Sequence, residues 1–172
     1  MIRSYALLPL FLVSLALASC GFSLRGNQPL PPSVNYVAVT SAQAHAPLAR
    51  ALKQRLEVYD IQAGDLADTP NPDHTVLIRI MPEQLERRLL SVFSTGQVAE
   101  YELIYGVNYQ VIFPDQEAVS AYFEVLRDYQ DDPAQVLAKT RELNLVLQEM
   151  RQEAADRIIR RLASQSPVSD IE

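Results

Sequence analysis

The chain predicts an α+β fold, a two-layer sandwich with two helices on one face of a four-stranded, largely antiparallel sheet. Three observations lead there. Over residues 99–113, Ala99, Tyr101, Leu103, Tyr105, Val107, Tyr109, Val111 and Phe113 occupy every second position, with Glu100, Glu102, Asn108 and Gln110 between them. That is the period of a strand with one buried face and one polar face. Over residues 133–163, Val136, Leu143, Leu147, Met150, Ala154, Ile158 and Leu162 recur largely at threes and fours, the period of a helix. The elements as a whole read β-α-β-β-β-α, and strands with one apolar face are most simply covered by both helices on one side.

Each element has its own reason. "VNYVAVT" (34–40) is rich in β-branched residues and short enough for a buried strand. From Pro47, a residue suited to a first helical turn, Leu48, Leu52, Leu56 and Tyr59 share a helical face, with Arg50, Lys53 and Glu57 off it. That run dies near Gly64, and "DTPNPD" (68–73) is a turn-rich connection. "HTVLIRI" (74–80) begins a second strand region. Residues 83–93, "EQLERRLLSVF", fit a helix through Leu85, Leu89 and Val92, or a strand with Arg87, Leu89, Ser91 and Phe93 on one face. They are assigned as strand, because the long strand that follows needs a hairpin partner of similar length. Ser94-Thr95-Gly96 is the tight turn between the two. Pro114-Asp115 breaks the long strand, and Val119, Ala121, Phe123 and Val125 start another. Asp132, Pro133 and Gln135 read as N-cap, N1 and N3 of the last helix. Unbroken over 133–163, that helix would be roughly 45 Å long. The tail, 164–172, is polar and expected to fray.

The N-terminus carries a different signal. Arg3 is the only charge in residues 1–19, residues 5–18 are almost wholly apolar, and Leu17-Ala18-Ser19 precede Cys20, the single cysteine. A positive head, a short hydrophobic run and small residues before a cut form a secretory signal. The last four residues resemble the lipobox of bacterial lipoproteins. That resemblance implies cleavage before Cys20 with diacylglycerol and an N-acyl group on it, an anchor made stable by several chains. Gly21 follows instead of an aspartate, which in such lipoproteins points to the outer membrane. Residues 20–33 then form the acylated anchor and a tether, with three prolines in "NQPLPPS" (27–33). The expected domain is 34–163.

Residues 1–19 hold one basic and no acidic residue, so the mature chain keeps 14 of 15 basic and all 21 acidic residues, a formal charge of −7. Such a balance argues against nucleic acid as a partner and requires that any anionic ligand meet a local basic patch. Catalysis has no motif: there is no nucleophile elbow and no phosphate-binding glycine loop. His45 and His74 lie in connections without cysteine neighbours and read as surface residues, so no metal site is expected. Asp128, Asp131 and Asp132 suggest a hard-cation site only until Pro133 makes a strand end and helix cap the simpler reading. What remains is binding, through the cations Arg79, Arg87, Arg88, Arg127 and Lys139.

Five stretches in order, "CGFSLRG", "PLARALKQRL", "SVFSTGQVAEYEL", "VLRDYQDDPAQVLAKTRE" and "EMRQEAADRIIRRL", resemble the LPS-assembly lipoprotein LptE family across nearly all of the mature chain. The resemblance implies two helices on a four-stranded sheet and resolves 83–93 as strand. It also implies a domain in the lumen of the LptD outer-membrane β-barrel that helps the barrel assemble, binds lipopolysaccharide, and is tied to the inner leaflet of a Gram-negative outer membrane through Cys20. No cofactor is implied beyond those acyl groups. By position, Lys139 matches the family's lipopolysaccharide contact, whereas Ser94 stands where relatives can carry an arginine. Arg87 and Arg88 on the strand leading into that hairpin would then supply the charge, and Ser94, Thr95 and Gly96 would be the tip facing the partner. Two other readings stay open, a structural barrel plug that never touches lipid and an unrelated periplasmic lipoprotein.

Overall fold

A computed structural model describes residue 30, residues 34–132 and residues 134–164. The signal segment, Cys20, most of the tether, Pro133 and the tail beyond Ser164 lie outside these. The order is β1 (Tyr36–Ser41), α1 (Pro47–Val58), β2 (Ala63–Gly64), 3-10 turns at Leu66–Asp68 and Pro72–His74, β3 (Thr75–Ile80), β4 (Gln84–Val92), β5 (Val98–Ile112), β6 (Val119–Gln130) and α2 (Val136–Ser164).

Two helices and a sheet are as expected, but among the described residues the sheet has six strands instead of four and is partly parallel. β1 pairs in parallel with β2 and with β3, while β3, β4 and β6 are all antiparallel to β5. The extra strands have physical causes. β2 is two residues beside β1, and a Cβ on Gly64 would stand 2.1 Å from the Tyr36 hydroxyl, so any side chain at position 64 would require the Tyr36 ring to shift. The expected second strand region is one lane broken in two. β3 and β4 both run along the same edge of β5, with Ile80 opposite Tyr109 and Gln84 opposite Gly106.

That break sets which way β4 faces. Met81, Pro82 and Glu83 stand against only Val107 and Asn108, one residue too many, and Pro82 has no N–H to offer a ladder. Before the bulge the buried apolar residues are even-numbered: Val76, Ile78 and Ile80. After it the helix-side residues are odd-numbered, because Leu85, Arg87 and Leu89 lie opposite Tyr105, Leu103 and Tyr101. β1 ends opposite Ile80, so the outer edge of β4 is unpaired and its residues are largely exposed. A second bulge at Leu90 turns Ser91 to the other face, where its hydroxyl donates to Glu100 at 2.9 Å.

One core lies between sheet and helices. Val37 and Val39 of β1, Ile78 and Ile80 of β3, and Leu103, Tyr105, Val107 and Tyr109 of β5 meet Leu48, Leu52 and Leu56 of α1 and Met150, Ala154, Ile158 and Leu162 of α2. The opposite face is mostly polar, with Arg79, Glu102, Asn108 and Gln110 along it, although Tyr36, Ala38 and Ile104 are buried there. α2 starts later than expected. The Asp132 carboxylate accepts from the Ala134 N–H at 2.9 Å and from the Gln135 amide at 2.7 Å, so it closes a turn that precedes the helix. At 29 residues the helix is about 44 Å long. Its first half overhangs the core: Val136, Leu137 and Leu145 are exposed.

Polar ties fix the layers. Ala46, at the N-cap of α1, has no capping side chain, and Glu83 from the bulge takes that role by accepting from the Leu48 N–H at 2.8 Å. The same carboxylate accepts from Arg151 of α2 at 3.0 and 3.2 Å. Arg55 of α1 makes a bidentate pair with Asp156 of α2 at 2.7 and 2.9 Å, which holds the Arg55 guanidinium above its ordinary pKa.

Candidate anion-binding cleft

Of the five cations singled out in the sequence, the fold brings two together. Arg79 and Arg88 are on the polar face of the sheet, donating to Gln110 at 3.2 Å and to Glu102 at 2.8 Å. Arg127 is on the helix side but is tied to Glu153 of α2. Arg87, also on the helix side, makes no ion pair among the described residues. Together with Lys139 it lines a cleft of about 380 Å³ whose other walls are Tyr129, Asp131, Asp132, Val136, Thr140 and Leu143. The floor is the end of the sheet and the roof is the overhanging first half of α2.

The cleft is positioned from several elements. Arg87 and Tyr129 reach it from the strands flanking β5, opposite Leu103 and Tyr101 respectively. The Tyr129 hydroxyl donates to the Lys139 carbonyl at 2.7 Å, which ties the first turn of α2 to β6. The Lys139 ammonium stands 5.5 Å from the centre of the Tyr129 ring and pairs with Glu142 at 2.9 Å. The hydrogen bond to Glu142 raises the lysine's pKa. Burial, and then the charge of Glu142, raise that of the Tyr129 phenol against the opposing pull of Lys139 and Arg87. The Ala134 N–H and the Gln135 amide hold Asp132 below the usual carboxylate range, so it remains charged at neutral pH. Such a cleft has a polar end with two cations and an aromatic face, and an apolar side at Val136 and Leu143. It can hold an anionic group attached to an apolar body.

Other expected site residues lie elsewhere. Arg88 is on the opposite face from Arg87, and Ser94 is in the β4–β5 turn, neither of them lining the cleft. In that turn the Gly96 N–H donates to the Phe93 carbonyl at 2.9 Å, and Gly96 has φ +83°, a left-handed conformation that glycine adopts freely. Ser94, Thr95 and Gly96 are all exposed. Cys20 lies outside the described residues. His45 and His74 are both exposed, and among the described residues no group of three or more His, Cys, Asp or Glu could hold a metal ion. No helix among them is long and apolar enough to cross a membrane. The sequence reading missed Tyr129 and Glu142 as parts of the site. Tyr129 was accessible by extending the alternation of β6 from Val125 through Arg127; Glu142 had only its spacing from Lys139.

The family model described as LptE, Lipopolysaccharide-assembly, matches residues 33–162. The chain belongs to the LptE family. Among relatives carrying the name LPS-assembly lipoprotein LptE, that of Yersinia enterocolitica is 32% identical over 91% of this chain and 74% of its own length. That of Photorhabdus laumondii is 34% identical, over 88% of this chain and 81% of its own. The crystal structure of rare lipoprotein B from Shewanella oneidensis is 40% identical with a TM-score of 0.65, covering 76% of this chain and 96% of that one. A solution structure of a lipoprotein B from Nitrosomonas europaea, 24% identical with a TM-score of 0.65 over 84% of this chain and 92% of that one, shares the fold. The mixed sheet with two helices is therefore the fold of LptE-family lipoproteins, and the cleft lies within the matched residues.

Proposed function

We propose that this chain is an outer-membrane lipoprotein of lipopolysaccharide assembly, anchored through Cys20, that occupies and helps assemble an LptD barrel and binds lipopolysaccharide at the Arg87–Lys139 cleft. Family membership supports the assembly role. The observation that carries the binding role is that Arg87 and Lys139, far apart in sequence and on different layers, line one cleft beside an apolar wall. Lipopolysaccharide has phosphates on an acylated head group, which is the chemistry such a cleft accepts. The mechanism is binding alone: the cations take the phosphates, Val136 and Leu143 take apolar surface next to the head group, and the molecule is drawn from its aggregates and oriented at the barrel. No covalent bond changes.

The test uses the acylated full-length protein in mild detergent and purified lipopolysaccharide. Arg87→Ala with Lys139→Ala loses at least tenfold in affinity, since each charge-assisted contact is worth roughly 1.5–3 kcal/mol, while the barrel still co-purifies. Unchanged affinity in the double variant overturns the cleft assignment. A native protein that carries a stoichiometric barrel but no lipopolysaccharide affinity establishes the structural plug instead. Recovery with no barrel overturns the translocon role.

A further inference from the structure

The cleft holds its own competitor. Two cations, Arg87 and Lys139, share it with two carboxylates that line it, Asp131 and Asp132, while a third, Glu142, pairs with Lys139. Empty, the cleft has no surplus of positive charge. An arriving phosphate meets Arg87, which has no ion partner among the described residues, but it meets Lys139 already neutralised.

We propose that Glu142 is a displaceable internal counter-ion that sets the affinity of the cleft, leaving Lys139 when a phosphate-bearing amphiphile enters and returning to it on release. The inference rests on the binding reading above and adds a regulating residue to it. Three features separate Glu142 from an ordinary surface partner. Lys139 cannot move away easily, since Tyr129 holds its backbone carbonyl at 2.7 Å and lies against its ammonium, whose side chain is only 19% exposed. Glu142 can move: its side chain is 50% exposed and it makes no other hydrogen bond among the described residues. The two are three residues apart on one helix, so the exchange requires a rotamer change and no movement of the fold. Asp131 and Asp132 do not offer the same release. The Asp131 carboxylate accepts from the Asp132 N–H at 2.9 Å, and that of Asp132 is held by the turn before α2.

A binding site of this kind engages in two steps, Arg87 first and Lys139 second, and it releases readily because Glu142 competes throughout. That suits a protein that receives and passes on an amphiphile better than one that stores it.

The test titrates purified lipopolysaccharide into the acylated full-length protein in detergent, comparing native, Glu142→Gln and, as a control for net charge, Glu149→Gln, an exposed residue of α2 that does not line the cleft. Removing a helical i,i+3 counter-ion of this exposure tightens binding roughly two- to fivefold. Glu149→Gln leaves affinity unchanged, and the gain from Glu142→Gln shrinks as salt is raised. Native-like or weaker binding by Glu142→Gln overturns the inference while leaving the cleft assignment intact. An equal gain from Glu149→Gln overturns it as well, by showing net charge to be the cause. A native protein without lipopolysaccharide affinity overturns the binding reading and this inference with it.

Discussion

Replacing Glu83 with alanine removes one acceptor from three donors that lie on two different helices. The Leu48 N–H at the start of α1 loses its cap, and the Arg151 guanidinium of α2 loses both of its contacts. Loss of a helix cap costs about 1 kcal/mol. Breaking a buried ion pair costs about 3–5 kcal/mol, but Glu83 and Arg151 have side chains 16% and 24% exposed, so water offsets part of that. A discounted figure of about 1.5–2 kcal/mol for the pair gives a total near 3 kcal/mol. In a domain of this size that lowers Tm by roughly 10 °C. Urea unfolding followed by circular dichroism should show a lower midpoint with an unchanged slope, the mark of lost stability without a change in the unfolded state. Glu83→Gln keeps an acceptor for Leu48 and should lose about half as much. A double-mutant cycle with Arg151→Ala should give a coupling of about 1–2 kcal/mol. A cost below about 0.5 kcal/mol for Glu83→Ala would refute the claim that this carboxylate joins the layers.

Other outcomes follow from single features. The hydroxyls of Tyr105 and Tyr109 are buried without a hydrogen-bond partner among the described residues, so Tyr105→Phe and Tyr109→Phe should be neutral or stabilising by up to about 1 kcal/mol; a loss of that size in urea unfolding contradicts it. Burial also raises the pKa of both phenols, so the folded state holds their protons more tightly than the unfolded state does. Stability should therefore be insensitive to these groups below pH ~10 and fall above it, and Tyr105→Phe should flatten that alkaline limb in unfolding measured against pH. Gly96→Ala meets no steric obstacle but places a Cβ at φ +83°, so about 1 kcal/mol should be lost without any effect on the cleft, read by thermal denaturation. Asp156→Asn should cost about 1–2 kcal/mol by ending the bidentate contact with Arg55, read by the same urea titration.

Much of the fold was legible because its strongest patterns are long. β5 alternates over its whole length, so its buried face could be listed residue by residue, and Leu103, Tyr105, Val107 and Tyr109 are all in the core. The buried stripe of α2 from Met150 to Leu162 follows its spacing too, although Val136 at the other end is exposed, since periodicity says which residues share a face and not how far the sheet extends beneath them. β2 has no pattern to find: it is two residues long and exists because Ala63 and Gly64 lie beside β1. The site was legible only as a set of cations. Counter-ions sort that set, and cross-strand neighbours such as Glu102 opposite Arg88 are a matter of register, which no local pattern in residues 83–93 reveals.

The bulge at residues 81–83 is where the register is decided, and it joins stability to the layout of the cleft. Continued without a break, the parity of β3 would turn Glu86 and Arg88 toward the helices and Arg87 toward the polar face. The extra residue reverses this. It pairs Arg88 with Glu102 on one face and leaves Arg87 on the other beside Tyr129 and Lys139. The displaced residue is not wasted either, since Glu83 caps α1 and holds Arg151. Two adjacent arginines thus receive opposite roles, one as half of a cross-strand pair and one as the cation of the cleft that has no ion partner among the described residues. The helix ties that Glu83 makes are what keep that assignment from slipping by a residue, because a one-residue shift of β4 would break contacts to both helices at once. The placement of Arg87 in the cleft is in this sense a property of Glu83, a residue that does not line it.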